Sequence, residues 1–584
     1  MSQLKEIYIE PMTRIEGHLA IHAVGDVTTK KYTDAHSYAV MFRGFEIILK
    51  GREPADAIWI TQRICGVCPT PHGLASVQCV DMTYDVSPPP FAVALRNFTH
   101  LAEQLYDALL GCGILEGPDY SEPVVKKFNP DWWDKAEKTK AENKDLHGYS
   151  TIAEIMSALT PLSGNLWLKC LQLSKTGRKM ASLFGGKHPH VGSFIPGGIA
   201  KTVTASDLEM FSAMLSQHIA FSKEFVSAFD DLLNFVLEMG YEEAGKRNPN
   251  LISYGCYDDP NSYTGKYKDL SRWGDARKVS PGVVVNGKLV TTDLVEINIG
   301  VREFVNHSYY EDWDFKDVER DPLDNYVATE HPWNKETKPS PKEPHKWGDK
   351  YSWGTAPRWH DWKNKVDGMT HVVEAGPISR MWTTAQAGKV KESTGKSVKF
   401  TLPKAVVAGF RVPDEVSFEW KIPKSVNAVE RVRARAYYHA YSAYVAYNML
   451  LDAFELVKKG EVKVWTEYRR PKEGLGVGLT EAMRGALGHW CIMRDGKIYR
   501  YQVITPSTWN ESPRDSIERP GPYEDAIIGT PITEQIGDEL NGIDVVRVVR
   551  SFDPCLACSV HVYNANDKRK TAKTAKIIPV LTLS

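Results

Sequence analysis

Apolar and polar residues alternate near the start of the chain, and this two-residue period predicts short β-strands around Ile7 to Ile9 and Leu19 to Ala23. Further along, a period close to 3.6 residues predicts long helices. The helical segments lie at about 90–115, 150–185, 205–240 and 424–459. Two turn signals, Asn286-Gly287 and Asp495-Gly496, stand between apolar runs and predict β-hairpins.

The segment 311–362 has a different pattern, because it is rich in proline, charge and tryptophan. Disordered linkers avoid so much aromatic surface, so we expect an ordered but irregular excursion. No internal repeat is found along the chain. The whole pattern predicts an α+β protein that is predominantly α: a large helical body with small peripheral β-sheets, forming one domain over residues 1–561.

Composition narrows the classes of function. The 584 residues carry a formal net charge of −1, which gives no sign of a nucleic-acid partner. No apolar run reaches the roughly 18–20 residues that a membrane-spanning helix needs, and the nearest, 436–454, is interrupted by polar residues. The N-terminus MSQLKEIYIE lacks the apolar core of an export signal, so we expect no signal or transmembrane segment in this chain.

Four of the nine cysteines form two Cys-x-x-Cys pairs, Cys65/Cys68 and Cys555/Cys558. A pair on a turn directs two thiolates at one point, and two pairs can hold one metal site. Zinc ribbons place their pairs roughly 15–20 residues apart, whereas nearly the whole chain separates these two. On spacing alone, a zinc staple and two unrelated turns with inert thiols both stay open. If the pairs share a metal, the two ends of the chain must meet.

The residues that flank the pairs are more specific than the spacing. The first pair stands in Arg63-Ile64-Cys65-Gly66-Val67-Cys68, followed by His72, and the second in Asp553-Pro554-Cys555-Leu556-Ala557-Cys558, followed by His561. Other motifs are Met12–His18, Phe42–Glu46, Gly186–His190, Arg484-Gly485 with His489, and Pro506–Asn510. In this order they resemble the large subunit of nickel–iron hydrogenases. The segments 279–300 and Phe418–Lys421 look closest to hydrogen-uptake enzymes, including actinobacterial high-affinity types.

This resemblance implies a metal centre in which soft thiolates hold a redox-active nickel. A neighbouring iron would carry carbon monoxide and cyanide. Cys68 and Cys558 would bridge the two metals, and Cys65 and Cys555 would be terminal on nickel. H2 would be split heterolytically at this centre, and Cys555 is our candidate for the thiolate that receives the proton.

Five further positions match residues near the metals of that family. Glu16 matches its proton-relay glutamate, although by itself it reads as a helix-start carboxylate or a salt-bridge carboxylate beside Arg14. Arg484 matches an arginine set over the metals, with an ordinary surface arginine as the alternative. Asp119 and Asp553 match acids that would orient Arg484. Ser507 resembles a residue that hydrogen-bonds a cyanide ligand, or it is a turn serine after a proline.

The same resemblance implies a separate magnesium site. Glu46, His561 and the backbone carbonyl of Val503 match its ligands, and a carboxylate oxygen suits this hard cation. His72 is open between two interpretations: a donor to a metal thiolate, or a core histidine whose hydrogen bonds are satisfied.

Residues 562–584 form a basic tail. The resemblance implies that nickel-insertion factors load the metal and that an endopeptidase then cleaves between His561 and Val562. The alternative is a permanent basic terminus. The five remaining cysteines show no iron–sulfur spacing, so electrons must leave through a partner. The resemblance implies an iron–sulfur small subunit, in a heterodimer or a dimer of heterodimers.

The predicted function is therefore oxidation of H2 to protons and electrons. The electrons would pass to the small subunit and then to a respiratory acceptor such as quinone. The small subunit would hold this chain at the periphery of the cell membrane, on either the cytoplasmic or the periplasmic side. A related quinone-reductase subunit is an alternative, but such subunits lack the four cysteines. A hydrogenase that feeds NAD or a deazaflavin is another, although this chain has no clear G-x-G-x-x-G fingerprint. A zinc-stapled scaffold without activity is the third.

Overall fold

The alternating residues at the N-terminus form the first sheet. The computed structural model describes residues 3–312, 316–340, 351–363, 370–535 and 540–556. Three antiparallel strands make this sheet, in the order Leu4–Ile9, Leu19–Asp26 and Lys31–Ala39. Ile7 lies opposite Ala23, and both are buried with Leu19 and Ile21. The predicted strands are confirmed, because the two-residue period places one face of the sheet against the core.

Four long helices form the main body of the protein: Pro90–Leu109, Asn165–Gly185, Ala205–Glu238 and Ala428–Lys458. They pack against one another through apolar side chains that are almost completely buried. The predicted helices at 205–240 and 424–459 are confirmed to within a few residues at each end.

The other two predicted helices differ from expectation. The helix at 90–115 is α-helical only to Leu109 and continues as a π-helical segment, Leu110–Glu116. The segment 150–185 divides into two helices, Ile152–Ala158 and Asn165–Gly185. Pro161 stands between them, and proline lacks an amide hydrogen and clashes with the preceding turn, so one continuous helix cannot form.

Shorter helices connect these parts. The α-helices are Phe45–Leu49, Pro54–Ile60, Pro69–Thr83, Glu122–Phe128, Pro130–Ala136, Lys144–His147, Ile152–Ala158, Leu270–Asp275, Leu294–Gly300, Pro377–Ala387, Pro506–Glu511, Pro522–Ile527 and Ile543–Ser551. The 3-10 helices are Thr61–Ile64, Gly117–Tyr120, Tyr241–Glu243, Tyr267–Asp269 and Pro332–Asn334. Within the described ranges, no helix combines the length and the apolar character that crossing a bilayer requires.

The sheets are small, as expected. One has three antiparallel strands, Gly474–Ala482, Gly485–Arg494 and Lys497–Ile504. A four-stranded sheet has the order Glu374–Ala375, Leu251–Ser253, Gly282–Val285 and Lys288–Thr291. A further sheet has the order Thr370–His371, Ala356–His360 and Val301–Phe304. Two strand pairs complete the set: Ser397–Leu402 with Val416–Lys421, and Phe194–Ile195 with Gly198–Ile199.

Both predicted hairpins are confirmed. Asn286 and Gly287 join two strands with φ angles of 49° and 79°, and Asp495 and Gly496 do the same with 50° and 73°. Two successive residues with positive φ make the tight turn whose twist matches that of the paired strands, which explains why Asn-Gly and Asp-Gly mark these positions.

The tryptophan-rich segment is irregular where the structure describes it. Apart from Pro332–Asn334 and Ala356–His360, the described part of 311–362 consists of turns, bends, isolated bridges and extended chain. Trp333 and Trp359 are buried, and the indole of Trp333 donates a hydrogen bond to the Gly476 carbonyl at 3.0 Å. The segment is therefore fastened to the core by its aromatic residues. Trp313 and Trp347 lie outside the described residues.

A stripe of glycines lets one helix lie directly on a sheet. Every residue of Pro69–Thr83 is buried, and this helix packs along the strand Gly474–Ala482. A methyl group at Gly474, Gly476 or Gly478 would lie 1.8–2.4 Å from a backbone oxygen of the helix. These glycines share one face of the strand, so the close approach requires them. The helix begins directly after Cys68, and the stripe therefore fixes the position of that cysteine.

Candidate metal centre

Cys65 and Cys68 occupy a turn between two helices. The 3-10 helix Thr61–Ile64 ends at Cys65, and Cys68 is the residue before the helix Pro69–Thr83. The amide groups of Val67 and Cys68 both donate to Cys65 Sγ, each at 3.3 Å. Amide donors and a helix N-terminus stabilise the thiolate form of cysteine, so the local fold prepares these sulfurs for a metal.

Cys555 reaches the same point from the other end of the chain. Its Sγ lies 3.2 Å from Cys65 Sγ and 3.9 Å from Cys68 Sγ. The three sulfurs all lie within 4.8 Å of one another, and each cysteine is only 1% exposed. The meeting of the chain ends that a shared metal requires is thus observed for three of the four predicted thiols. Cys558 lies outside the described residues.

The N-terminal motif holds the Cys555 segment in place. Glu16 N donates to the Pro554 carbonyl at 3.1 Å, and Leu556 N donates to the Glu16 carbonyl at 2.7 Å. Cys555 N donates to Ser507 Oγ at 2.9 Å, and Ser507 is the second residue of the short helix Pro506–Glu511. Ser507 therefore has a specific contact with a predicted metal ligand, which a simple turn serine would not need.

The Glu16 side chain is half-buried beside the cysteines. Burial raises the pKa of its carboxyl group, and the negative charge of Cys65 adds to the rise, while Arg484 and Arg43 oppose it. The salt-bridge interpretation of Glu16 predicted a pairing with its neighbour Arg14, but the described ion-pair partner of Arg14 is Asp119.

Arg484 is buried at the centre and is not a surface arginine. Its Nε donates to the Asp553 carbonyl at 2.8 Å, and its Nη2 donates to Asp553 Oδ1 at 3.0 Å. Its Nη1 lies 3.4 Å from Asp107 Oδ2 but makes no hydrogen bond with any described residue. Gly485 follows with a φ of +125°, and a Cβ there would lie 2.5 Å from Gly376 N, so glycine is needed to bring Arg484 this close.

The prediction that Asp119 orients Arg484 is corrected by these contacts. Asp119 accepts hydrogen bonds from Arg14 and Arg550, and the second acid beside Arg484 is Asp107. Burial raises the pKa of Asp107 to about 7, although Arg484 acts against the rise. Sequence reasoning missed Asp107, yet a carboxylate inside the apolar helical run 90–115 was an available signal, because buried acids need a partner.

His72 is buried within a chain of hydrogen bonds. Its Nδ1 lies 3.2 Å from His489 Nε2, and His489 Nδ1 lies 2.8 Å from the Tyr501 hydroxyl. Burial lowers the pKa of His72 to about 4, while the negative charge of Cys65 opposes the shift. A neutral imidazole beside the cysteines is compatible with either predicted role.

The two described residues of the predicted magnesium site lie on elements that pack against each other. Glu46 is half-buried on the helix Phe45–Leu49, which packs on the strand Lys497–Ile504 that carries Val503. Burial raises the pKa of Glu46 to about 7, and the nearby charge of Glu303 contributes to the rise. A cation would relieve this repulsion between acids. The third predicted ligand, His561, lies outside the described residues.

The donor set fits the predicted nickel site. Buried sulfurs suit a soft, redox-active metal better than they suit magnesium or calcium. The buried Arg484 Nη1 is a cationic donor without a hydrogen-bond acceptor in the described part of the chain, so it can donate to an acceptor on a bound group. The cysteines and the arginine together therefore match an anionic, thiolate-held metal group.

Comparisons with known proteins agree with this chemistry. Residues 43–155 and 157–561 match a family model described as nickel-dependent hydrogenase. The uptake hydrogenase large subunit of Rhodobacter capsulatus is 28% identical over 96% of each chain. The hydrogenase-2 large chain of Escherichia coli is 28% identical, over 97% of this chain and 98% of the relative.

Solved structures extend the likeness to the fold. An actinobacterial-type NiFe-hydrogenase from Ralstonia eutropha H16 has 41% identity and a TM-score of 0.92, over 95% of this chain and 100% of the other. The [NiFeSe]-hydrogenase of Desulfomicrobium baculatum has 28% identity and a TM-score of 0.72, over 96% and 100%. The predicted α+β fold and the resemblance to hydrogenases are both confirmed. The chain belongs to the large subunits of the nickel-dependent hydrogenases, oxidoreductases that act on H2.

Proposed function

We propose that this chain is the catalytic subunit of an uptake hydrogenase that oxidises H2 to protons and electrons under physiological conditions. The observation that carries the proposal is the convergence of three buried sulfurs, from opposite ends of the chain, within 4.8 Å of one another. The uptake hydrogenases among its relatives support the direction of the reaction.

The cofactor is a nickel–iron centre whose iron carries one carbon monoxide and two cyanide ligands. Cys65, Cys68, Cys555 and Cys558 would hold it, and when bound it supplies the acceptor for the hydride half of H2. Asp553 holds Arg484, and the Nη1 donor of Arg484 makes no hydrogen bond with a described residue, so it would be available to a cyanide ligand of the bound centre.

Two side chains handle the proton half of H2. The thiolate of Cys555 accepts the proton, and the carboxyl group of Glu16 takes it from the thiolate and passes it away from the metals. The backbone bonds between Glu16 and the residues on either side of Cys555 support this order, because they keep the two groups in one place. The raised pKa of Glu16 supports it as well, since a relay works best when its pKa approaches the working pH.

Replacing Glu16 with glutamine tests this relay. Glutamine has nearly the same shape but cannot release and rebind a proton, so H2 oxidation should fall by about 10²–10⁴-fold. Nickel and iron contents should stay at the wild-type level. Exchange between H2 and D2O, measured beside the metal contents, separates the two effects.

Glu6→Gln is a suitable control, because Glu6 lies in the same N-terminal segment with a side chain that is 59% exposed. It should exchange hydrogen at the wild-type rate. Wild-type exchange in Glu16→Gln would remove Glu16 from the proton path.

The magnesium site would consist of Glu46, the Val503 carbonyl and His561, with waters filling the other positions. The position of Glu46 beside the strand of Val503 and the close charge of Glu303 support a cation there. After the nickel-insertion factors have acted, an endopeptidase would remove residues 562–584 by cleavage after His561.

An iron–sulfur small subunit would receive the electrons, in a heterodimer or a dimer of heterodimers. The need for such a partner is supported by the other five cysteines, which are buried free thiols. Among the described residues, only the cysteines at the metal centre form a group suited to a metal. The small subunit would pass the electrons to a respiratory acceptor such as quinone and would bring this chain to the periphery of a membrane.

A further inference from the structure

Asp119 holds two arginines that come from opposite ends of the chain. Arg550 Nη1 donates to both of its carboxylate oxygens, at 2.7 and 2.9 Å, and Arg14 Nη2 donates to one of them. Asp119 is completely buried in the 3-10 helix Gly117–Tyr120, and Arg550 is 5% exposed in the helix Ile543–Ser551. One carboxylate therefore joins three segments that are far apart in sequence.

The same arginines also hold the backbone of the N-terminal motif. Arg550 Nε and Nη2 donate to the Thr13 carbonyl at 2.9 and 2.8 Å, and Arg14 Nη1 donates to the Leu115 carbonyl. Arg14 has a φ of 54°, a conformation that residues with a side chain rarely adopt. The turn at Thr13 and Arg14 therefore depends on contacts from outside the motif to keep its shape.

This turn lies just before the proton-relay residue of the proposed function. Glu16 follows Arg14 by two residues, and Cys555 follows Arg550 by five. Beyond the turn, the Glu16 backbone is bonded to Pro554 and Leu556. The ion pairs of Asp119 with Arg14 and Arg550 hold the chain before Glu16, and the backbone bonds to Pro554 and Leu556 hold Glu16 itself.

We propose that Asp119 is a positioning residue: through Arg14 and Arg550 it sets the place of the Glu16 carboxyl group relative to Cys555. The proposal rests on the relay role of Glu16. Without the negative charge of Asp119, the buried guanidinium group of Arg550 and the partly exposed one of Arg14 would face each other without the carboxylate that they share. Their repulsion would displace the turn and with it Glu16, and a displacement of about 1 Å at a reacting group can reduce a rate by about 100-fold.

The test is Asp119→Asn in the matured enzyme with its small subunit. Asparagine keeps the shape and loses the charge. We expect nickel and iron contents at the wild-type level, while exchange between H2 and D2O falls by about 10–100-fold. The solvent isotope effect on H2 oxidation should rise at the same time, because proton transfer then limits turnover. Asp119→Glu keeps the charge and should restore part of the exchange.

Glu374→Gln is the matched control. Glu374 is 1% exposed and is also held by two arginines, Arg431 at 2.7 and 2.9 Å and Arg247 at 3.1 Å, but none of the three belongs to the N-terminal motif. Loss of this charge should lower stability in a similar way and leave the exchange per nickel and the isotope effect unchanged.

If Asp119→Asn shows wild-type exchange and a wild-type isotope effect while Glu16→Gln still blocks exchange, the positioning role of Asp119 is overturned. The relay role of Glu16 would then stand. Wild-type exchange in Glu16→Gln would overturn the relay and the positioning role together. If Asp119→Asn does not mature, Arg550→Lys replaces it, since lysine keeps the charge but loses the paired hydrogen bonds to Asp119 and Thr13. Slowed exchange in Arg550→Lys would support the proposal, and wild-type exchange would contradict it.

Discussion

Changing Cys555 to serine should yield a folded protein that retains almost no nickel. Serine has nearly the same size as cysteine, but its hydroxyl group is a hard ligand that stays protonated, and a soft metal binds it poorly. Because Cys555 lies 3.2 and 3.9 Å from the other two sulfurs, its loss removes a central ligand. We expect the nickel content to fall at least about tenfold. Mutation of a residue that only hydrogen-bonds to a metal ligand already lowers metal affinity by about 10–100-fold, and loss of a ligand should have no smaller effect.

Elemental analysis of the purified protein, together with its unfolding curve, measures this effect. Cys256→Ser is the control, because Cys256 is also 1% exposed and its Sγ contacts the Tyr438 hydroxyl at 3.3 Å, outside the metal centre. It should keep the full nickel content. A Cys555→Ser protein with wild-type nickel would show that Cys555 is not a ligand.

Changing Arg484 to lysine should reduce turnover by about 10²–10³-fold without loss of the metals, the range measured when one fixed donor is removed from an active site. Lysine keeps the positive charge but has a single ammonium group. It cannot hydrogen-bond to the carbonyl and the carboxylate of Asp553 and also place a separate N–H group where Arg484 Nη1 lies. Arg484→Met removes the charge between Asp107 and Asp553 as well. Breaking a buried ion pair in this way should destabilise the fold by about 3–5 kcal/mol.

The measurement is H2 oxidation per bound nickel. Arg277→Lys is a matched control. Arg277 is 1% exposed, pairs with Asp258 at 2.8 Å and donates to backbone carbonyls. Like Arg484 it is a buried arginine with an ion pair and backbone hydrogen bonds, but it lies outside the metal centre. Its turnover per nickel should stay within about twofold of wild type, since surface or remote changes act mainly on stability. If Arg484→Lys behaves in the same way, Arg484 has only a structural role.

Much of the fold was predictable because its elements follow simple periodic patterns. The N-terminal strands, both hairpins and the helices Ala205–Glu238 and Ala428–Lys458 were expected from apolar spacing and turn residues. The π-helical segment after Leu109 was not, because it continues the apolar pattern and only its hydrogen bonds change. The interruption near Pro161 shows the opposite case, in which a visible proline outweighed an apolar pattern.

The residues of the candidate site that stand in sequence motifs could be predicted. The partners that buried acids and arginines contact could not, because these depend on distances in the folded protein. The cysteine pairs and Arg484 stand in recognisable contexts. Asp119 was assigned to Arg484 because sequence does not tell which arginine a buried acid will face, and the fold places Arg14 and Arg550 against it. Asp107 was missed for the same reason, since only packing brings its helix beside Arg484.

Infrared spectroscopy of the matured complex is the most direct test of a shared metal centre between the two cysteine pairs. We expect stretching bands of one carbon monoxide and two cyanide ligands, which no protein group produces, and we expect these bands to be lost in Cys555→Ser. Active, nickel-containing protein without these bands would contradict this expectation.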